Sequence, residues 1–412
     1  MILPDMSELM KYICAYIPRY AGFTGTFDGL PIVTKREYID DYNSFVSTLR
    51  GRDRAMLVDA LRSKEIPRST EDPFGDDLII EHTSGSSGVP FKMVKTKAER
   101  LKIAGLMWER RRAIDPQVRT SNYTPLINAP INRRFTPVLP GSDVAADEIW
   151  NRLEAANTRW LHTSPPMLLA FAEALGSIGQ ASRGTIRFAE YTGQRLEPDD
   201  RKTIERVLAL LTVNQYALRE VWAVGTAIGD DTLEPLEDNV CIEIVSDDGS
   251  PVPMDQSGRI VVTNLNLRLM PFVRYDTGDR GVLSMCGGRL SLTLDPYREH
   301  MMFHGISPKK AGPPIFKKIL KELYGVIQSG DIKTIQIRQW DLATFEVIMD
   351  PVPNVDKIVS AIEANFNGLR LYNHLVHFVY RPISDTLMNH PFQAPAKLGI
   401  FTTKRFEDDR AT

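Results

Sequence analysis

The stretch Thr83-Ser84-Gly85-Ser86-Ser87-Gly88-Val89-Pro90-Phe91-Lys92 constrains the fold most, because almost nothing in it can pack a core. Asp77 to His82 before it and Phe91 to Val94 after it read as short strands. The segment between them carries two glycines, four hydroxyls and a proline, with Lys92 following. Glycines let a backbone approach a ligand closely, and successive amide N–H groups in such a turn form an anion-binding concavity. The hydroxyls of Thr83, Ser84, Ser86 and Ser87 add donors that cost little entropy to fix. A triphosphate is the ligand that best matches this chemistry, and a flexible Gly/Ser hairpin turn is the alternative. The stretch is not the GxxxxGK[ST] loop, since no Lys-Ser/Thr pair follows the second glycine, and it is not GxGxxG.

A second segment bears on the choice. Arg259 to Asn264 reads as a strand and leads to Met270-Pro271-Phe272-Val273-Arg274-Tyr275-Asp276-Thr277-Gly278-Asp279. Pro271 keeps the apolar run to an edge or irregular path, and the run ends in an expected turn with two carboxylates and an arginine. A carboxylate accepts two hydrogen bonds at once, which suits a ribose diol. An ordinary Asx-capped turn is the alternative.

Together the two segments resemble the adenylate-forming superfamily, which activates carboxylic acids with ATP. They look most like its branch of phenylacetate–CoA ligases, capsule-biosynthesis ligase-like proteins and indoleacetate–lysine synthetases. Thr83 to Lys92 matches that family's Thr/Ser/Gly phosphate loop, and Arg274 to Asp279 matches its Arg-Tyr-x-Thr-Gly-Asp motif. The resemblance assigns Asp279 to the ribose hydroxyls and covers the chain from about residue 75 onward. Two intermediate motifs extend it. Thr192-Gly193-Gln194 stands where the family has the Thr-Gly-Glu that lies against adenine, with Gln194 in place of Glu. Tyr216-Ala217-Leu218-Arg219-Glu220 stands for Tyr-Gly-x-Thr/Ser-Glu. There the resemblance implies that Tyr216 stacks on adenine and Glu220 helps hold Mg²⁺ on the phosphates. Arg219 is a departure, with two readings open: an extra phosphate contact, or a pair with Glu220 that weakens metal binding.

The same resemblance places a hinge at Arg298-Glu299-His300-Met301, where Arg298 fits and His300 replaces the usual Asp. His300 is read as a surface residue rather than a pH-sensitive hinge. The expected organisation is an N-terminal domain of residues 1–299 that binds ATP and acid, and a mobile lid of residues 300–412. Within the lid, a helix near 313–323, strands at 334–338 and 344–349, a helix near 355–366 and a strand at 375–380 give a small α+β unit. Its size of roughly 100 residues is ordinary for a domain. Ala396-Lys397 fits the family's Gly-Lys near the end, whose lysine bridges the attacking carboxylate and the α-phosphate; Lys404 is the competitor.

Residues 1–75 read as helical and loop-rich, with Pro18, Pro31 and Pro67 as punctuation. From about 76 to 282 apolar strands alternate with amphipathic helices, the mark of an α/β domain. A helix is expected from Lys97 to Arg112 and another from Glu197 to about Leu211, the latter opened by Pro198 and two aspartates. Pro165 starts a helix after a strand at Leu161, and Asp247-Asp248-Gly249-Ser250 turns a hairpin from Cys241 to Asn264. The fold class is therefore α/β: a large domain of mixed sheets and helices with a small α+β lid.

Composition excludes more than it assigns. In 412 residues, a net charge of −2 gives no electrostatic footprint for nucleic acid. Arg110-Arg111-Arg112 is a cation cluster at a helix end, the expected solvated case. Cys14, Cys241 and Cys286 have no CxxC spacing and no neighbouring histidines, so neither a zinc site nor a disulfide framework is indicated. Asp5 and Glu8 argue against a signal peptide, and no apolar run approaches the roughly 18 residues of a membrane span. A cytoplasmic protein, monomer or homodimer, is the expectation. Its expected chemistry is ATP- and Mg²⁺-dependent conversion of a small carboxylic acid, aryl or similar, to an acyl-adenylate, then transfer to CoA or a carrier-protein thiol. Two alternatives stand: an amide synthetase that passes the acyl group to an amine without CoA, and a catalytically silent nucleotide-binding module.

Overall fold

The N-terminal helices are short, and Pro18 follows the end of the first. Helices α1 (Ser7–Tyr16), α2 (Lys35–Asp40), α3 (Tyr42–Phe45) and α4 (Asp53–Arg62) are joined by loops and single 3₁₀ turns. Thr34 and Glu37 close a capping box on α2, satisfying two orphan amide donors reciprocally. The computed structural model describes residues 6–50, 53–63, 77–83, 91–125, 146–193, 196–295, 335–339, 341–349, 353–370, 372–382 and 401–403. The chain divides into two compact units, one of residues 1–82 and 92–295, the other of residues 83–91 and 296–412. The expected helix near 313–323 lies outside the described residues.

In the first unit, β1 (Leu78–His82) and β2 (Lys92–Thr96) pair antiparallel as a two-stranded ribbon. Thr96 and Glu99 form a second capping box at the start of α5 (Lys97–Ile114). Then β3 (Tyr123–Pro125), α6 (Ala146–Ala155), β4 (Trp160–Thr163), α7 (Pro165–Ser177), β5 (Phe188–Thr192), α8 (Pro198–Leu208) and β6 (Leu211–Leu218) follow in alternation. The strands β3, β4, β5 and β6 lie side by side and parallel. Such strands are buried on both faces, and both faces here are apolar. Trp160, Phe188 and Val213 pack against α5 residues on one side. Leu161, Ala189 and Tyr191 pack with Trp150, Phe171 and Ile204 on the other.

The helix expected to run to about Leu211 stops at Leu208. Ala209 takes a left-handed conformation at φ +52°, and Leu211 instead pairs with Phe188 as the first residue of β6. Propensity alone would have carried the helix on; the open edge of β5 takes the residues for the sheet.

The sheet continues antiparallel through β7 (Trp222–Ile228), β8 (Thr232–Pro235), β9 (Val240–Val245), β10 (Ser257–Asn264), β11 (Tyr275–Cys286) and β12 (Arg289–Leu294). The spatial order is β3-β4-β5-β6-β7-β8-β12-β11-β10-β9. The β9–β10 hairpin holds the expected Asp-Gly turn, with Gly249 at φ +87° and Val245 opposite Arg259.

The second unit contains β13 (Ile335–Gln339), β14 (Thr344–Met349), α9 (Val355–Gly368), β15 (His377–Pro382) and β16 (Phe401–Thr403). Its four-stranded sheet runs β15-β14-β13-β16. Ile358, Ile362 and Phe366 line one buried stripe of α9, and Phe345 stacks on Phe378 at 5.0 Å. The fold is α/β with mixed sheets in the larger unit and α+β in the smaller. Among the described residues, no helix is long and apolar enough to cross a membrane.

Candidate functional site

The residues Asp276 to Asp279 form a bulge inside a strand, where the sequence reading expected a turn. Val261 lies opposite Asp276 and Arg259 lies opposite Arg280, so Thr277, Gly278 and Asp279 answer a single residue, Ile260. The bulge is pinned from within. Thr277 donates its hydroxyl to the Ile260 carbonyl at 2.9 Å, while the amide of Asp279 donates to the same hydroxyl oxygen at 3.0 Å. Gly278 takes φ +72°, which a side chain would strain. Both oxygens of Asp276 are engaged, one by the Gly278 amide and the other by an ion pair with Arg259. A bulge re-aims a side chain, and the one re-aimed here is Asp279.

Tyr216 meets it. The Tyr216 hydroxyl donates to Asp279 Oδ2 at 2.8 Å, joining two expected nucleotide residues that are far apart in sequence. Tyr216 sits on β6 directly before a register shift against β7, opposite Gly225. Thr192 and Gly193 end β5 beside it, since Thr192 pairs with Gln215 and Gly193 turns away at φ +76°. The carboxyl ends of β4, β5 and β6 thus share one edge, the place where ligands bind in open α/β sheets.

Arg219 and Glu220 lie in the short turn between β6 and β7. Glu220 is buried and accepts a hydrogen bond from the Tyr275 hydroxyl at 3.0 Å, whereas the Arg219 side chain is exposed. Adjacent residues in so tight a turn point apart. The hydrogen-bond partner of Glu220 is therefore Tyr275, not Arg219.

Other expected residues are placed differently. Thr83 pairs with Phe91, its amide on the Phe91 carbonyl at 2.8 Å and its hydroxyl accepting the Phe91 amide. Lys92 is buried, and its ammonium donates to the carbonyls of Ala60 and Ser63 at the C-terminal end of α4. That is a helix-end cation, satisfying orphan carbonyls. Ser84, Gly85, Ser86, Ser87, Gly88, Gln194, Arg298 and Lys397 lie outside the described residues, as do His300 and Lys404.

The sequence reading missed a buried cluster beside the turn. Lys95, 1% exposed, pairs with Glu81 at 2.7 Å, and Trp222 donates its indole N–H to the same carboxylate oxygen at 2.9 Å. Burial pushes the Lys95 ammonium below its ordinary range. Burial also pulls Glu81 upward, but the Lys95 charge and the two hydrogen bonds outweigh it and hold the carboxyl low. The sequence carried little signal for it: Glu81 follows Leu78-Ile79-Ile80 and Lys95 follows Met93-Val94, with no period-two alternation. Arg274 likewise has a scaffold role. It forks onto Glu243 at 3.0 and 3.2 Å and donates to the carbonyls of Asp28 and Leu30. Among the described residues, no group of three or more His, Cys, Asp or Glu could hold a metal ion. A lone carboxylate such as Glu220 suits Mg²⁺, which takes the rest of its oxygen shell from phosphates and water.

No family model matches the sequence, and no curated protein matches it. Solved structures do. Against 2-hydroxyisobutyryl-CoA ligase in the postadenylation state with R3-HIB-AMP, the TM-score is 0.56 at 14% identity, covering 92% of this chain and 85% of that one. Against the same ligase with 2-HIB-AMP and CoA in the thioesterification state it is 0.53 at 14%, covering 96% and 88%. An open conformation of that ligase with 2-HIB-AMP and CoA gives 0.50 at 13%, covering 92% and 87%. Over most of its length, then, this chain has the α/β fold of an acyl-CoA ligase that has been captured holding an acyl-adenylate.

Proposed function

We propose that the protein activates a small carboxylic acid, aryl or similar, with ATP and Mg²⁺, releasing pyrophosphate, and then passes the acyl group from the adenylate to CoA or another thiol. The observation that carries this is the Tyr216–Asp279 hydrogen bond. It brings the two most diagnostic motif residues together at the ligand edge of the sheet. A carboxylate has two acceptor oxygens and can accept from more than one donor, which suits a ribose diol.

In this reading Tyr216 fixes the carboxylate and offers its ring to the adenine, with Thr192 and Gly193 at the next strand end. Mg²⁺ would be held by Glu220 and would neutralise phosphate charge when bound. The chain's own part is to set that carboxylate, through Tyr275, and to present amide and hydroxyl donors from Ser84 to Gly88. A carboxylate attacking an α-phosphate brings two anions together, so fixed positive charge and positioning do the work without a covalent step by the protein. Lys397 supplies that charge from residues 300–412, which act as a lid turning about Arg298.

The similar ligase has been seen with CoA, which favours a thiol acceptor over an amine. Glu220 held by Tyr275 rather than Arg219 favours an active enzyme over a silent module. The test is ATP–pyrophosphate exchange across a panel of aryl, indolyl, hydroxy and fatty acids, with and without Mg²⁺. At least one acid should support Mg²⁺-dependent exchange. If none does, the protein is a silent nucleotide-binding module. With an active acid, CoA should consume the adenylate faster than a panel of amines; the reverse result makes it an amide synthetase.

A further inference from the structure

The turn from β6 to β7 is braced by groups for which nucleotide binding has no use. Leu218 pairs with Trp222 across the ladder, so Arg219, Glu220 and Val221 alone make the connection. Trp222 closes it at φ +65°, a left-handed conformation that a bulky side chain avoids and that persists only where its surroundings over-determine it. Those surroundings come from β1, β2 and α5. The buried Lys95 ammonium pairs with Glu81 and also donates to the main-chain carbonyl of Arg219. The Glu81 oxygen that holds Lys95 also accepts the Trp222 indole N–H. Lys95 Nζ and the Arg100 guanidinium lie over the indole ring, 5.6 and 5.1 Å from its centroid. On its far side the turn is held by Tyr275, which donates to Glu220.

A buried ion pair adds little to stability compared with apolar side chains of the same volume, so stability does not account for this one. Its contacts do. Both partners of the pair end on the same short turn, one on its backbone and one on the side chain at its strained residue.

We propose that Glu81, Lys95 and Trp222 are positioning residues: they lock the Arg219–Val221 turn so that Glu220 faces inward as the metal-binding carboxylate and Arg219 faces out. The metal-binding part rests on the acid-activation reading above. The lock itself does not.

The test uses Lys95→Met, which keeps the stem and removes the ammonium, with Lys95→Arg to restore the charge. Lys95→Met/Glu81→Gln leaves no unpaired buried charge and serves if the single variant fails to fold. Two quantities are read: amide hydrogen exchange of the segment spanning residues 216–224, and the Mg²⁺ concentration for half-maximal ATP–pyrophosphate exchange. In Lys95→Met the turn amides should exchange at least about tenfold faster while β4 and β5 keep their protection. The Mg²⁺ requirement should rise by about tenfold or more with the KM for the acid within about twofold, and Lys95→Arg should recover much of both. Unchanged exchange at the turn, or protection lost across the whole sheet, overturns the lock. A loosened turn with an unmoved Mg²⁺ requirement overturns its link to Glu220. If the unaltered protein shows no exchange with any acid, the activation reading falls, and amide exchange at the turn still decides the lock.

Discussion

Replacing Asp279 with alanine removes an acceptor while sparing the strand that carries it. The bulge is held by the Thr277 hydroxyl, which bonds to the Ile260 carbonyl and the Asp279 amide, and neither bond uses the Asp279 side chain. A hydrogen bond to a charged acceptor contributes about 1.5–3 kcal/mol. Two ribose hydroxyls would therefore give about 3–6 kcal/mol gross, part of which water recovers in the variant. At about 1.4 kcal/mol per factor of ten, ATP affinity should fall at least about tenfold and up to about a hundredfold. Tyr216→Phe keeps the carboxylate but removes one of its donors, and should cost only a few-fold. Asp279→Asn can still accept from Tyr216 and should fall between the two. Calorimetric titration of ATP into each folded variant measures this. An Asp279→Ala protein that binds ATP as the unaltered one does would falsify the ribose assignment. Asp276 offers no easy substitute, because Gly278 and Arg259 already hold its oxygens.

Lys92→Met should destabilise the protein by about 2 kcal/mol, since two helix-end carbonyls lose a charged donor; denaturant unfolding measures it. ATP affinity should stay within about twofold, and the opposite pattern would return Lys92 to the phosphates. Burial holds the His162 ring below the ordinary histidine value of 6.5, with the Glu190 charge opposing and Arg111 assisting, and His82 is lowered too, chiefly by burial. The unfolded chain then binds protons that the folded chain does not, so this contribution to stability is whole above pH 6.5 and is lost as pH falls below it. Melting temperature should decline from about pH 7 to about pH 5.5, and His162→Gln should flatten that slope. Lys397→Ala should reduce adenylate formation by orders of magnitude with ATP affinity barely moved, and acyl transfer from a prepared adenylate should survive. Lys404→Ala should behave as the unaltered protein; exchanged phenotypes would move the closing role to Lys404.

The sequence by itself determined the parts of this protein that depend on local chemistry. Pro165 and Pro198 open helices because their missing N–H costs nothing at the first helical position. Asp-Gly turns the β9–β10 hairpin, and alternating strands and helices between residues 76 and 282 announce an α/β sheet. Resemblance to the motifs of a known family singled out Tyr216, Glu220 and Asp279 as well. Only the tertiary structure decided which groups meet. The hydrogen bond from Tyr216 to Asp279 crosses from β6 to β11, and no local pattern encodes that pairing. Asp276 to Asp279 looked like a turn because Thr-Gly-Asp favours one; the two neighbouring registers of β10 absorb it as a bulge. Lys92 and Lys95 show the limit most clearly. Their odd spacing puts them on opposite faces of β2, which the sequence can state. Which face lies against the end of α4 and which against Glu81 and the β6–β7 turn depends on elements far along the chain, and burial assigns the two lysines their partners.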